Sequence, residues 1–505
     1  MVFSGRPSDA CHACRKKRLK CDQLRPGCSQ CARKRILCPG YRSTSELRIR
    51  NETERVALKL RGRGTGGQGG STEATSAGGT LLIESWREVL NLTTDDDAVF
   101  YFMTFYIVSG PFQQYLPGMY DRCSKVGEDT TFHIAIKAAS LAAYARQTGH
   151  RGCMDRSRSI YVLALNRVNH SLTNPVTAVS DDTLASILLL GTFESIVFPG
   201  ARSPEEWTAH LIGASKLLRL RGPGQFKSTT GALLFGHTAI NIYASCMQRF
   251  ADLPDDFQAL SSMAKPFLDS KDFGNRISPI FQQAIHIKAR IANYQTNMLV
   301  LYEVFDDAVA LERDTAALIH ANDPEFGYTI RSKKDTPSWA YQGAAYRYKN
   351  VRSIKIWNTL RMIRLFLLEV TSAGALLAME KIQHDPETQN SHRGTLRDAA
   401  YYVAFRENAR SLVDEITKDV LGCLPEFVEQ TTLAGPKFSA FSRTMVWPLS
   451  VIHKNGECPP LAREYARSMA DEIVRELDKL HLADSRKVIN GPESDQDWLH
   501  LYHLD

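Results

Sequence analysis

The sequence predicts two unlike parts: a short cysteine-rich module of two short helices and, beyond a flexible tether, a large all-α domain. Three observations predict it. Six of the 11 Cys fall between Cys11 and Cys38. A Gly-rich run fills residues 62–79. From Leu81 onward apolar residues recur at helical spacing, while period-2 alternation is scarce. A chain of 505 residues exceeds one compact domain, and 43% apolar residues suffice to bury a sizeable core.

The cysteine module comes first. Its spacing is Cys11-x2-Cys14-x6-Cys21-x6-Cys28-x2-Cys31-x6-Cys38, an internal repeat with a shift of 17 residues. The same shift maps Leu19 onto Ile36, and Lys16 and Lys17 onto Arg33 and Lys34, so two similar half-modules are expected to face each other with Leu19 and Ile36 in the seam. A Cys-x2-Cys turn lets two thiolates converge on one ion. The x6 interval covers about two helical turns, which places Cys14 with Cys21, and Cys31 with Cys38, on one side of a short helix. Each half offers three thiolates and zinc takes four, so six Cys serve two tetrahedral ions only if two thiolates bridge. The expectation is a binuclear zinc–thiolate cluster whose metal binding is also its folding energy.

Charge and compartment fit that reading. Residues 1–63 hold 17 Lys and Arg against 5 Asp and Glu, and the remainder holds 45 against 50. A basic arm on a mildly acidic body points to a polyanionic partner for the arm alone. The N-terminus carries no apolar run, and the apolar stretch Leu184 to Phe198 is too short for a bilayer and contains Glu194. The chain is therefore expected to be intracellular, without a membrane partner, where disulfides do not persist and clustered Cys serve metal. Cys123, Cys153, Cys246, Cys423 and Cys458 are scattered and read as small buried residues.

Between the ligands the chain is basic. Arg15, Lys16, Lys17, Arg18 and Lys20 lie between Cys14 and Cys21, and Arg33, Lys34 and Arg35 lie between Cys31 and Cys38. Arg and Lys on a metal-fixed helix can donate to guanine O6 and N7 in the major groove and to phosphates of double-stranded DNA. The asymmetry assigns base reading to the first half and bracing to the second.

This segment resembles the fungal Zn2Cys6 binuclear-cluster transcription factors in all six Cys, in the run CRKKRLKC, and in the loop Arg25-Pro26-Gly27 before Cys28. The resemblance implies that Cys11 and Cys28 bridge the two zinc ions, and that Lys17 and Arg18 reach a CGG-type triplet. Many members carry Lys at the second of these places, and Arg18 keeps the charge while changing donor geometry. It further implies a nuclear regulator of transcription by RNA polymerase II, with transcription machinery or co-regulators as partners. The words CPGYR and RNETE that follow resemble a subset of the family with a particular helical C-terminal domain.

Past Cys38, Leu47, Val56, Leu58 and Leu60 do not sustain heptads, so a homodimer through a coiled coil is not supported, although dimerisation through the body stays open. Gly62, Gly64 and Gly67 spell GxGxxG, but Gly, Ser and Thr follow rather than a helix, so the run reads as a tether.

In the body, Ser203-Pro204-Glu205-Glu206 reads as a capping box with Pro at the first helical position. Trp207, Leu211, Ala214 and Leu218 then form an apolar stripe, and Gly222-Pro223-Gly224 ends it. Asp182 reads as the cap of the helix carrying Leu184, Ile187, Leu188 and Gly191. Leu461, Tyr465, Met469, Ile473, Leu477 and Leu480 recur at three or four. The phrases HLIGASKLLRLRGPG (from His210) and VRSIKIWNTLRMIRLFLLEV (from Val351) resemble the fungus-specific regulatory domain that follows such clusters, which implies regulation rather than chemistry. No HExxH, GxSxG or Walker loop is present, so no enzyme is expected; His210 reads as structural. The expected fold is thus a small Zn2Cys6 binuclear zinc cluster (two short helices) tethered to a large all-α domain: residues 1–45 bind DNA, 46–80 link, 81–485 form the helical regulatory domain, and 486–505, with His500 and His503, form a tail. The alternative is a helical ligand- or partner-binding regulatory protein in which the DNA module is secondary.

Overall fold

The computed structural model describes residues 10–39 and 93–477. Within the first stretch 12, 15, 16, 18, 19, 23, 25, 26 and 37 are excepted, and within the second 108–109, 128, 198–203, 250, 269–271, 294–297, 321–326, 385–396 and 433–434. The tether 46–80, the residues Leu47, Val56, Leu58 and Leu60, Leu480, and the tail with His500 and His503 lie outside the described residues. The chain divides into two units, 1–51 and 52–505.

In the smaller unit one helix is described from cap to cap, α1 (Ser29–Arg33). The larger unit opens with α2 (Thr94–Tyr101), α3 (Leu116–Val126), α4 (Thr131–Thr148), α5 (Arg151–Ser171), the single turn α6 (Pro175–Ala178) and α7 (Asp181–Val197). Helix α4 forms because an Ala-rich sequence follows Thr130, whose hydroxyl oxygen accepts from the His133 N–H at 3.1 Å. It is buried nearly all round and packs against both α5 and α7. Between the last two, the Tyr161 ring stacks on Phe193 at 4.2 Å and its hydroxyl donates to the buried Glu194, so that carboxylate is held inside the core. Asp95 on α2 pairs with Lys137 on α4 at 2.5 Å and with Arg156 on α5 at 2.7 Å.

The cap of α7 corrects the sequence reading. Ser180, not Asp182, accepts from the Thr183 N–H, at 3.2 Å. A cap oxygen must reach the N–H three residues on, and Asp182 already lies inside the first turn, where a carboxylate instead meets the positive end of the helix dipole. Helix α8 (Pro204–Arg221) begins at its Pro and stops where expected, at Gly222 with φ 63°. Ala214 and Leu218 are buried, whereas Ser203 and the side chains of Trp207, His210 and Leu211 lie outside the described residues.

Helices α9 (Thr229–Arg249), α10 (Asp255–Ala264), α11 (Phe273–Asn293) and α12 (Met298–His320) follow. Two antiparallel ribbons then interrupt the helices: β1 (Tyr328–Ile330) with β2 (Tyr346–Tyr348), and β3 (Val428–Thr432) with β4 (Gly435–Phe438). The remaining helices are α13 (Val351–His384), α14 (Ala399–Leu421), α15 (Val446–Lys454) and α16 (Pro460–Leu477).

Helix α13, 34 residues long, is the one described helix long and apolar enough to cross a bilayer. Here it packs against α12, α14 and α15. Its buried Arg361 donates to Asp419 at 3.2 Å, Tyr348 at 2.8 Å and Asn358 at 3.1 Å, and its Arg364 pairs with Glu312 at 2.7 Å. In α16 the inward stripe is Ala462, Ala466, Ala470, Ile473 and Val474. Of the expected stripe Ile473 is inward, but before it the inward positions are one residue later than expected: Tyr465 and Met469 flank the core, and Leu461 is 75% exposed. Helix α15 packs closely on α16, and small Ala side chains admit such an approach where larger ones would hold the helices apart.

Candidate metal centre

Among its described residues the smaller unit has almost no apolar core. Its buried cluster is Ala10, Cys11, Cys14, Cys28 and Cys31, with Ala13, Cys21 and Cys38 packed against it. The expected seam of Leu19 and Ile36 is not what closes it: Ile36 is 40% exposed, and Leu19 lies outside the described residues. Thirty residues cannot enclose both six sulfurs and an apolar layer, so sulfur occupies the centre.

The repeat read from the sequence is visible as repeated bonds. The Cys14 N–H donates to Cys11 Sγ at 3.4 Å, and the Cys31 N–H donates to Cys28 Sγ at 3.4 Å. The Cys11–Cys31 and Cys14–Cys28 sulfur pairs, related by the 17-residue shift, are each 3.7 Å apart, and the Cys11 and Cys28 sulfurs are 3.6 Å apart. All six are free thiols, and these separations are far beyond a disulfide bond of about 2.05 Å. A tetrahedral zinc with Zn–S near 2.3 Å holds its sulfurs about 3.8 Å apart, so these separations fit the edges of such tetrahedra.

Two quartets result: Cys11, Cys14, Cys21 and Cys28, and Cys11, Cys28, Cys31 and Cys38, each with all sulfurs within 4.8 Å of one another. They share Cys11 and Cys28. Six sulfurs therefore offer eight ligand positions, as a binuclear zinc cluster requires. Without metal, this crowding works against ionisation. Burial, followed by hydrogen bonds that the Cys14 thiol donates to Cys11, Cys28 and Cys21, pushes that thiol up to about 12, and burial also raises Cys28 and Cys31. Two divalent cations reverse that preference, because a coordinated thiol is held as thiolate.

The two halves are not identical in backbone. In the first, Ala13 and Cys14 are helical and the Lys17 N–H donates to the Ala13 carbonyl at 3.2 Å, one α-helical turn. In the second, α1 ends at Arg33, so Cys31 and Cys38 do not share a helix face as the x6 interval predicted. Arg35 takes a left-handed φ of 50°, the Arg35 N–H donates to the Ala32 carbonyl at 3.0 Å, and the Ile36 N–H donates to the Cys31 carbonyl at 3.1 Å. This Schellman reversal turns the chain back and returns Cys38 to the cluster.

Spacing alone does not single out two further contributors. Asp22 ties the halves together: its carboxylate accepts from the Ser29 N–H at 3.2 Å and from the Ser29 hydroxyl, which together hold it below the usual carboxylate range. At Gly27 an added Cβ would stand 3.0 Å from Cys38 Cβ, so the absent side chain is what lets a metal-ligand position approach. Of the basic residues, Lys17, Lys20, Arg33, Lys34 and Arg35 are exposed, whereas Arg15, Lys16 and Arg18 lie outside the described residues.

A cradle of two sulfur quartets within a basic segment, in a chain with a separate, largely helical unit, defines a zinc-cluster protein with a helical body. Residues 9–47 match the fungal Zn(2)-Cys(6) binuclear cluster domain, and residues 135–258 match the fungal specific transcription factor domain; the chain carries both. The second match includes His210 to Gly224 and stops before Val351. The chain is similar to an uncharacterized protein of Emericella nidulans, 33% identical over 95 residues, which are 19% of this chain and 20% of that protein. It is also similar to White-opaque regulator 2 of Candida albicans, 36% identical over 59 residues, 12% of this chain and 13% of that one. The matched parts thus span a fifth or less of either relative's length. No solved structure matches the chain.

Proposed function

We propose that the chain is a zinc-dependent, sequence-specific DNA-binding regulator of transcription by RNA polymerase II, acting in the nucleus rather than as an enzyme. The observation that carries this reading is the pair of sulfur quartets sharing Cys11 and Cys28, bracketed by exposed cations. Residues 1–45 form the DNA-binding domain and 46–80 the link to a regulatory body of 81–485. Cys11, Cys14, Cys21, Cys28, Cys31 and Cys38 hold two zinc ions, which cross-link a unit too small for an apolar core. Lys17 and Arg18 donate to a CGG-type triplet in the major groove. Arg15, Lys16, Lys20, Arg33, Lys34 and Arg35 neutralise phosphates, so affinity falls steeply with salt. The body engages transcription machinery or co-regulators.

Selection of sites from random duplex DNA with the zinc-loaded chain tests this. One triplet should be enriched, and its occurrence singly or in pairs tells a monomer from a homodimer. Lys17→Ala should keep two zinc equivalents yet lose about 1–3 kcal/mol of base discrimination in a gel-shift series. Well under two equivalents of zinc, or no preferred duplex when fully metallated, would falsify the reading.

A further inference from the structure

The helical body contains a cavity of about 490 Å³ among α7, α9, α11, α13 and α15, within the size range of small-molecule sites. Its wall is mostly apolar, including Ile187, Phe235, Phe281, Ile356, Met362 and Phe366. Close-packed interiors leave few voids larger than a water molecule, so a space of this size needs a structural cause.

Two glycines supply part of it. Gly191 lies inside α7 and Gly236 inside α9, and both line the cavity. A Cβ built on either would meet nothing within 4 Å. Glycine inside a helix is unfavourable relative to alanine. At these two positions the missing side chains help to leave the volume open.

The polar groups of this wall are turned to the protein rather than to the space. The buried hydroxyls of Thr192, Thr359 and Ser450 each donate to the carbonyl four residues back in their own helix, at 3.0, 2.8 and 2.6 Å. His237 Nδ1 stands 2.7 Å from the Tyr115 hydroxyl, and the Asn241 amide oxygen is covered. The charged side chains are engaged as well. Arg352 pairs with Asp272 at 3.6 Å, Glu369 accepts from Asn455 at 3.3 Å, and the Lys288 ammonium lies 5.3 Å over the Phe366 ring. Lys355 and Lys454 have partners of their own. An ionic or strongly hydrogen-bonding ligand would leave its water here without replacement, a costly transfer, unless it broke one of these pairings. A hydrocarbon surface gives up no hydrogen bonds and gains by the burial of its area.

We propose that this cavity binds one neutral, mainly hydrocarbon small molecule, held by the aromatic and aliphatic wall. Charged molecules of the same shape are excluded because the wall's own polar groups are already satisfied. The site is independent of the DNA-reading unit, so either assignment can fail without the other.

N-phenyl-1-naphthylamine is a neutral aromatic fluorophore, and 1-anilinonaphthalene-8-sulfonate is the same skeleton with an anionic group. The neutral probe is titrated into the full-length, zinc-loaded chain, the sulfonate is then used to displace it, and a thermal transition is recorded on the same samples. The neutral probe should bind at one saturable site, and the sulfonate should displace it only at concentrations at least about tenfold higher. Gly191→Leu and Gly236→Leu fill the space, and each should abolish binding while the transition stays cooperative and DNA binding is unchanged. Should a leucine lower the midpoint, alanine at the same place adds one carbon into open space and should still weaken the probe severalfold. Gly213 in α8 also has nothing within 4 Å of a built Cβ, but it lies outside the cavity wall, so Gly213→Leu should bind like the parent. Parent-like binding by the filled variants overturns the site, as does equal loss in Gly213→Leu or the absence of saturable binding to the parent. Displacement by the sulfonate at equal or lower concentration overturns the assignment of a neutral ligand.

Discussion

The cluster unit and the helical body keep their shapes with different materials. In the first, the buried centre is sulfur, the apolar residues Leu24 and Ile36 face water, and five described basic side chains are exposed. In the second, apolar clusters fill the space between α2 and α16, and buried charges are paired, as at Arg361 with Asp419 and at Asp95 with Lys137 and Arg156. The first is expected to depend on its ions for its shape, whereas the second is held by an apolar core. The difference teaches that the recognition surface and its stability source can occupy the same thirty residues only when the core is reduced to a few atoms.

Metal removal separates the two regions most sharply. Chelation at neutral pH should unfold residues 10–39 and abolish DNA binding, since zinc binding of about 10–16 kcal/mol is the folding energy of such units. The far-UV helical signal and the thermal transition of the body should persist, and a body that melts with the zinc would break the comparison. Acid should act in the same direction. Burial holds the Cys14 thiol above its ordinary value, so without metal it carries its proton at neutral pH. Zinc must displace those protons, and its affinity should therefore fall as pH falls. Zinc retention measured across a pH series checks the sign.

The converse experiment strikes the body alone. Arg361→Met removes a buried guanidinium from Asp419, Tyr348 and Asn358, each left short of a partner. Breaking such a buried pair costs about 3–5 kcal/mol, read as a fall in the urea midpoint of the body. Zinc content should stay at two equivalents.

How much of this was legible in the sequence also differs between the regions. Six Cys in a repeated spacing specify a cluster because thiolate chemistry allows few alternatives, and the shared pair Cys11 and Cys28 agrees with the family resemblance. The turn at Arg35 was not legible, because a left-handed Schellman position is normally marked by Gly and here carries Arg. In the body, helical spacing indicated a largely helical fold and the Pro204 start and Gly222 stop of α8, but not the two ribbons β1–β2 and β3–β4. It could not tell Ala462, Ala466 and Ala470 from Leu461, Tyr465 and Met469 as the inward stripe, because both sets repeat every four residues and only the partner helix decides. The cavity beside Gly191 and Gly236 was invisible for the same reason: it is made by which side chains are missing where five helices meet.

The smallest effect sharpens the comparison most finely, because it tests whether stability and recognition can be varied separately within the cluster unit. Arg35 sits at φ 50°, a conformation that disfavours a residue with a Cβ by about 1–2 kcal/mol relative to Gly. Arg35→Gly removes that strain, but a glycine also gains freedom in the unfolded chain, which offsets about 0.5–1 kcal/mol. The net expectation is a stabilisation of about 0.5–1 kcal/mol, seen as slower zinc loss to a competing chelator. The same change deletes an exposed cation, so the slope of log affinity against log salt should fall by about 1 while the preferred triplet is unchanged. Faster zinc loss would mean that the Arg35 side chain, rather than its backbone, holds the turn that returns Cys38 to the cluster.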